Sequence, residues 1–288
     1  MLNGRAVAEL AQRSDQDFFA EIAKGMRLTT ANALGLWRDF MVMHRAGHRQ
    51  GAEILSAFVE EESAKFFILL DAVRCPRTSQ QFGRQLRYFY DHLAKGIYAL
   101  HYTYFPADFA EVQRYVARHR EEYYLDGPEG FEWIFRNPIL EGREANIYVN
   151  YVRTDEGSGW VSPRRRLIAD PWRTQPETLG LARTMCRMGF GAPESVAVVA
   201  EVWRPFVIEG GTTWGAIHKQ NTETLNALER LGLLKSREGA ERVLDRWTFP
   251  LYSLDLQADG TKVQELIEQR RKMEEAWERS VYGVPDGY

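Results

Sequence analysis

Apolar residues recur at steps of three and four along most of this chain, which is the pattern of amphipathic helices. Three long stretches of this kind fill the N-terminal part: residues 15–44, 51–73 and 82–104. A proline follows each of the last two stretches within a few residues, where it would end a helix. The pattern predicts a bundle of long helices over residues 1–125, with residues 82–104 forming one continuous helix.

The segment 154–178 is the expected boundary between two regions, because it contains D-E-G-S-G followed by three prolines. We therefore predict an all-α protein with a helical bundle at residues 1–153. A mainly helical C-terminal region of unknown role follows at residues 154–288. Its last predicted helix spans residues 261–281 and is rich in charges.

Two short segments before that boundary have less regular patterns. F-E-W-I-F at residues 131–135 suggests a short buried helix. Residues 146–152 alternate apolar and polar positions and have high β-propensity, so they form either a short strand or one more helix.

Composition excludes several classes of protein. The net charge of −3 argues against a broad nucleic-acid surface and leaves room for a local basic patch. No stretch approaches about 18 uninterrupted apolar residues, so we predict no transmembrane helix and no membrane partner. The cysteines, Cys75 and Cys186, lie far apart and fit a reducing environment as unpaired thiols. We expect a cytoplasmic protein.

The third stretch contains an arginine and a histidine, Arg87 and His92, separated by four residues. Arginine presents a rigid fork of donors that suits phosphate, and histidine exchanges protons near neutral pH. The pair suits RNA cleavage without a metal, with the 2′-hydroxyl as nucleophile. On a straight helix the two side chains point about 140° apart, so sharing one phosphate requires bending or long reach. The alternative is a solvated helix face.

The second stretch places a carboxylate, Glu62, near the middle of its apolar face, with Glu61 and Lys65 at the edge. A carboxylate in an apolar interface is costly unless it is paired. Two interpretations are open: Glu62 forms a structural ion pair with Lys65 or an arginine, or it orients Arg87 or His92.

An ordered set of short motifs over residues 15–105 resembles a known family. The set comprises K-G at 24–25, Asn32, W-R-D at 37–39, E-E-x-x-K at 61–65 and F-x-x-H-x-x-K at 89–95. In this order and spacing the motifs resemble the abortive-infection protein V (AbiV) branch of the HEPN superfamily. The wider superfamily carries R-x(4–6)-H, which Arg87 and His92 match.

The resemblance implies an antiphage endoribonuclease with a HEPN-like bundle, which cleaves tRNA, rRNA or mRNA and arrests translation. Such proteins dimerise with their R…H segments facing each other, so we expect a homodimer, and a phage protein as activator. His92 would transfer protons, Arg87 would hold the phosphate, Glu62 would orient them, and Lys95 would stabilise the developing oxyanion. No metal or other cofactor is required.

Other side chains near the pair are expected to bind RNA, namely Arg84, Lys65 and Tyr88. Tyr88 stands where the superfamily usually has a small polar or acidic residue. This departure, with the mild net charge, favours a rival hypothesis: a non-catalytic HEPN-like module that blocks the translation machinery or senses a phage protein. His119 lies in the charged tail of the following helix and is expected to be a surface residue.

Overall fold

The computed structural model describes residues 6–126, 132–135, 137–154, 157–163 and 174–260, together with six positions of the charged C-terminal segment (265, 268, 271, 272, 275 and 279). The predicted all-α class is confirmed, because helix predominates and strands account for only 4% of the structure. The predicted last helix, residues 261–281, lies largely outside the described residues. No helix in the described part of the chain is long and apolar enough to cross a membrane.

The described helices and strands follow one another from the N-terminus. A short 3-10 helix, Val7–Gln12, precedes the α-helices α1 Asp15–Arg45, α2 Arg49–Arg74, α3 Gln80–Arg87, α4 His92–His101, α5 Phe109–Arg120, α6 Pro138–Glu144, α7 Glu177–Met188, α8 Pro193–Trp203, α9 Trp214–Arg230 and α10 Ala240–Arg246. The strands are β1 Glu121–Asp126, β2 Glu132–Phe135, β3 Asn150–Thr154, β4 Gly157–Val161 and β5 Asp259–Gly260.

The long helices α1 and α2 form the centre of the N-terminal part. Ser14 caps α1 by accepting a hydrogen bond from the backbone N–H of Asp17. A tight turn joins α1 to α2, and Gly47 occupies it with a φ of +78°, a conformation that favours glycine. Because this turn is so short, the two helices run antiparallel against each other.

The predicted continuous helix over residues 82–104 is wrong, since the structure has two helices there. α3 ends at Arg87 and α4 begins at His92. The cause is Asp91, whose side chain accepts a hydrogen bond from the N–H of Ala94 at 2.8 Å and so caps a new helix. Arg87 and His92 therefore stand on different helices, at opposite ends of a turn.

One hydrophobic core includes residues from both sides of the predicted boundary near residue 154. Phe67 and Tyr98 come from the first region, and Trp203 and Trp247 come from the second. Helices α7 and α8 pack on α1 and α2. The division at residues 1–153 and 154–288 stays a prediction, while the C-terminal helices help to position those of the N-terminal part.

The described strands form two small sheets, one with the order β2-β1-β5 and the other with β3 beside β4. The helix predicted from F-E-W-I-F is wrong, because residues 132–135 form β2, antiparallel to β1, with Trp133 opposite Leu125. Aromatic and β-branched side chains favour a strand over so short a helix. Of the two alternatives for residues 146–152, a strand or a helix, the structure has the strand, two to four residues later, as β3.

Candidate functional site

A cluster of charged side chains surrounds Glu61 on α2. Its Oε2 accepts hydrogen bonds from Nζ of Lys95 and from Nδ1 of His92, each at 2.8 Å. Its Oε1 lies 2.9 Å from Nε of Arg143, at the end of α6. Three elements, α2, α4 and α6, therefore meet at one carboxylate.

This carboxylate is ionised, and its neighbours explain why. Burial alone would raise the pKa of Glu61, but the hydrogen bond and charge of Lys95, together with those of His92, outweigh burial and hold the pKa below its ordinary value. The Lys95 side chain is only 6% exposed, so its charge is little screened by solvent.

His92 is the member of the cluster that can exchange protons with a ligand. A carboxylate only accepts, so Nδ1 of His92 donates to Glu61 and the lone pair of the neutral ring is on Nε2. Nζ of Lys95 is 3.2 Å from the same Nδ1. Within the described residues no group hydrogen-bonds Nε2, and the side chain is 41% exposed. This arrangement suits a general acid or base.

A cleft of about 290 Å³ adjoins the cluster. It lies where α2, α4, α6 and the end of α5 meet. Gly96 permits the close approach of α4 and α6, because a Cβ atom there would overlap the side chain of Ile139. Apolar groups share the lining with ionisable and other polar groups, the polar ones being Glu53, Ser56, Glu60, Glu61, His92, His119, Arg143 and Asn146.

Glu62 does not contact His92 or Arg87, as an orienting residue would. Its carboxylate pairs with Nζ of Lys65 at 2.6 Å, and both side chains are partly exposed. The contact with His92 belongs to Glu61, the preceding residue. Lys65 also lies over the ring of Phe89, 5.0 Å from its centroid. The first interpretation from the sequence, a local ion pair, describes the observed contact of Glu62.

Arg87 is exposed at the end of α3 and does not line the cleft. No ion pair or hydrogen bond joins its guanidinium to another described residue. Arg84 donates to the backbone carbonyl of Ser253 at 3.3 Å and so contacts the C-terminal region.

The structure contradicts the expectation that Tyr88 contacts RNA, because this residue is only 1% exposed. Its hydroxyl donates to the carbonyl of Leu254 at 3.1 Å and accepts from the N–H of Leu256 at 3.0 Å. Burial is the first cause of its raised pKa, so the phenol stays neutral. Tyr88 ties the α3–α4 turn to the C-terminal region and is closed to a bound base.

Sequence reasoning missed three members of the site. The helical pattern puts Glu61 at the edge of the apolar face and assigns it no role. His119 and Arg143 come from α5 and α6, and no spacing in the sequence connects them with His92. The E-E-x-x-K motif is the one sequence signal for Glu61, because the motif contains two adjacent glutamates and either could contact the next helix.

Comparisons with protein-family models, with curated proteins and with solved structures find no match for this chain. The resemblance to the AbiV branch of the HEPN superfamily therefore stays a prediction. Among the described residues, no group of three or more histidine, cysteine, aspartate or glutamate side chains is arranged to hold a metal ion. What the site offers is an acid–base residue, a buried charge pair and a cleft.

Proposed function

We propose that this chain is an endoribonuclease that needs no metal and acts in antiphage abortive infection, with His92 transferring protons. One observation carries the proposal: Nδ1 of His92 is bonded to the ionised Glu61, and no described residue hydrogen-bonds its Nε2 beside the cleft. A carboxylate at Nδ1 orients an imidazole and stabilises the positive charge that it takes up during proton transfer.

RNA supplies its own nucleophile in this reaction, so the protein has to move protons and stabilise charge. The 2′-hydroxyl attacks the adjacent phosphate while His92 acts as acid or base. Lys95 contributes positive charge close to His92. Arg87 has an exposed guanidinium and could bind phosphate beside the His92 of a second copy, as the HEPN resemblance implies.

The test is RNA cleavage by the purified chain in the presence of EDTA. Total RNA and tRNA are incubated with the wild type, with His92→Ala and with His48→Ala, whose histidine is exposed before α2. We expect wild type and His48→Ala to give the same fragments, ending in 2′,3′-cyclic phosphate, and His92→Ala to give none. Cleavage by His92→Ala at the wild-type rate would refute the role of His92, and loss of cleavage in EDTA would refute metal independence.

The rival function is a non-catalytic binding module that blocks the translation machinery or senses a phage protein. The position of Arg87 favours it, because this side chain does not line the cleft that His92 borders. Phage-infection assays in cells separate the two functions. A nuclease loses protection with His92→Ala, whereas a binding module keeps protection with His92→Ala and leaves RNA intact. Light scattering that shows only monomer would exclude a site shared between two copies.

A further inference from the structure

A second histidine, His119 at the end of α5, borders the same cleft as His92. Its Nδ1 is 2.8 Å from the backbone carbonyl of Tyr115, and a carbonyl only accepts. Nδ1 therefore carries a hydrogen, and the lone pair of the neutral ring is on Nε2. No described group hydrogen-bonds this Nε2, so His119, like His92, has one nitrogen free for a ligand.

The ring of His119 is held in place from several sides. It packs on Tyr115 with ring centroids 4.1 Å apart, and Tyr115 stacks on Tyr104 at 4.5 Å. The backbone carbonyl of His119 accepts a hydrogen bond at 2.6 Å from the fully buried Asn137. A catalytic side chain needs such support, because its nitrogen has to meet the substrate in a fixed position.

The cleft also contains a cation that can bind phosphate. Arg143 pairs with Glu61 through Nε, and its two terminal nitrogens belong to the part of the guanidinium that suits a phosphate fork. The negative charge of Glu61 is balanced by the positive charges of Lys95 and Arg143. The remaining lining carboxylates are Glu53 and Glu60.

We propose that His119 is the second proton-transfer residue of the cleft, so that one chain carries the complete acid–base pair with Arg143 as phosphate ligand. This inference rests on the proposed ribonuclease function. The two rings have different partners, and the partners suggest the roles. We assign His92, whose hydrogen-bond partner is the anion Glu61, as the acid, and His119, whose partner is the uncharged carbonyl of Tyr115, as the base.

The reaction balances within this pair. Nε2 of His119 takes the proton of the 2′-hydroxyl, and the 2′-oxygen forms a bond to phosphorus. The bond from phosphorus to the 5′-oxygen breaks, and that oxygen takes both electrons of the bond and a proton from Nε2 of His92. The products are a 2′,3′-cyclic phosphate and a 5′-hydroxyl, and the summed charge of the two imidazoles is unchanged.

This division of roles predicts different responses to the leaving group. The substrates are the dinucleotide UpA and uridine 3′-(4-nitrophenyl phosphate), whose nitrophenolate leaves without a proton. We expect His92→Gln and His119→Gln each to lower UpA cleavage by about 100-fold or more. On the nitrophenyl substrate His92→Gln recovers most of the wild-type rate, and His119→Gln does not. UpA cleavage by His119→Gln at the wild-type rate would overturn the inference while leaving the nuclease proposal intact.

Mixing the two inactive variants tests whether one chain is sufficient. A mixture of His92→Gln and His119→Gln contains no chain with both histidines, so we expect no recovery of UpA cleavage. Recovery in the mixture would show that the two histidines act from different copies, and would overturn the one-chain site.

A binding measurement tests the inference even if the chain cleaves no RNA. Inorganic phosphate is titrated into ¹⁵N-histidine-labelled wild type, and the ring nitrogens are followed by NMR. We expect Nε2 of both His92 and His119 to shift, and Arg143→Ala to remove both shifts while His48→Ala keeps them. A shift confined to His92, or no shift at all, would overturn the inference. Absence of cleavage with both shifts present would refute only the nuclease.

Discussion

Helix α2 carries two carboxylates ten residues apart, Glu61 and Asp71, and each bonds to a cation and to a side chain of α4. Their surroundings differ. Asp71 is completely buried, and so is its cation, Arg74. Glu61 retains 12% of its side-chain exposure and adjoins a cleft.

The bonds of Asp71 are all made within the protein. Oδ1 accepts from Arg74, and Oδ2 accepts from the hydroxyl of Tyr98 and from the N–H of Leu251, each at 2.6 Å. The guanidinium of Arg74 lies 4.6 Å from the ring centroid of Trp203 and 5.2 Å from that of Trp247. No ligand can reach these groups without unfolding, so the Asp71 cluster is structural.

The Glu61 cluster is built from similar groups, but its histidine borders a cleft, and no side chain or backbone group in the described part of the chain bonds Nε2. The two clusters therefore contain similar groups but differ in whether a ligand can reach them, and this difference separates a structural cluster from a candidate site. A buried, fully bonded carboxylate joins the two halves of the chain, whereas a carboxylate that borders a cleft can position an acid or base.

The largest loss of stability should come from breaking the buried cluster around Asp71. Asp71→Asn removes the negative charge beside the buried Arg74 and turns one acceptor into a donor. We expect the free energy of unfolding to fall by about 3 to 5 kcal/mol, as for other buried pairs that lose one partner. Chemical denaturation at constant m-value measures the change. A loss below about 1 kcal/mol would show that Asp71 is not fully enclosed.

His101 is buried near Arg74, in the same part of the core as Asp71. Its Nε2 donates to the carbonyl of Phe249 at 2.9 Å, and its buried Nδ1 has no hydrogen-bond partner among the residues that the structure describes. Burial, with the nearby charge of Arg74, lowers its pKa from 6.5 to about 4. The unfolded chain therefore binds the proton more readily, and stability falls as the pH drops from about 6.5 to about 4, by about 3 kcal/mol.

The control for this pH dependence is His101→Asn, which can still donate to Phe249 but does not titrate. Denaturation curves of both proteins between pH 7 and pH 4 give the contribution of the ring as the difference between their slopes. Parallel slopes would mean that His101 is protonated equally well in the folded chain.

Breaking the cluster around Glu61 should lower the free energy of unfolding by a smaller amount. Glu61→Gln leaves Lys95 and Arg143 without their carboxylate, but Arg143 and His92 are partly exposed, so water can replace some of the lost bonds. We expect the free energy of unfolding to fall by about 1 to 2 kcal/mol. Because the pKa of Glu61 is lowered by folding, its contribution is present above its unfolded pKa and lost as the pH falls through its folded pKa. The ¹⁵N chemical shifts of the His92 ring should change in this variant and not in Asp71→Asn, because Nδ1 of His92 bonds to Glu61.

The sequence was sufficient for features that depend on local pattern. Helical periodicity predicted the α1 and α2 stretches, and a carboxylate at the α2 interface was expected to be paired. It was insufficient where a polar side chain competes with the pattern: Asp91 caps α4 and divides a stretch whose apolar period continues through it. It was also insufficient for His119 and Arg143, because only the packing of α5 and α6 brings them to the cleft.

The smallest expected effect is that of Glu62→Gln, which tests the helical-wheel argument directly. The helical wheel puts Glu62 near the middle of the apolar face, where a structural ion pair predicts that Glu62→Gln lowers stability. In the structure Glu62 and Lys65 form a partly exposed pair three residues apart on one helix, and such pairs contribute about 0.5 kcal/mol or less. Glu62→Gln should therefore change the denaturation midpoint hardly at all and leave the ¹⁵N chemical shifts of the His92 ring as in the wild type, in contrast to Glu61→Gln. If the two variants behaved alike, the register of α2 against α4 would have to be shifted by one residue, and the assignment of Glu61 to His92 would fail with it.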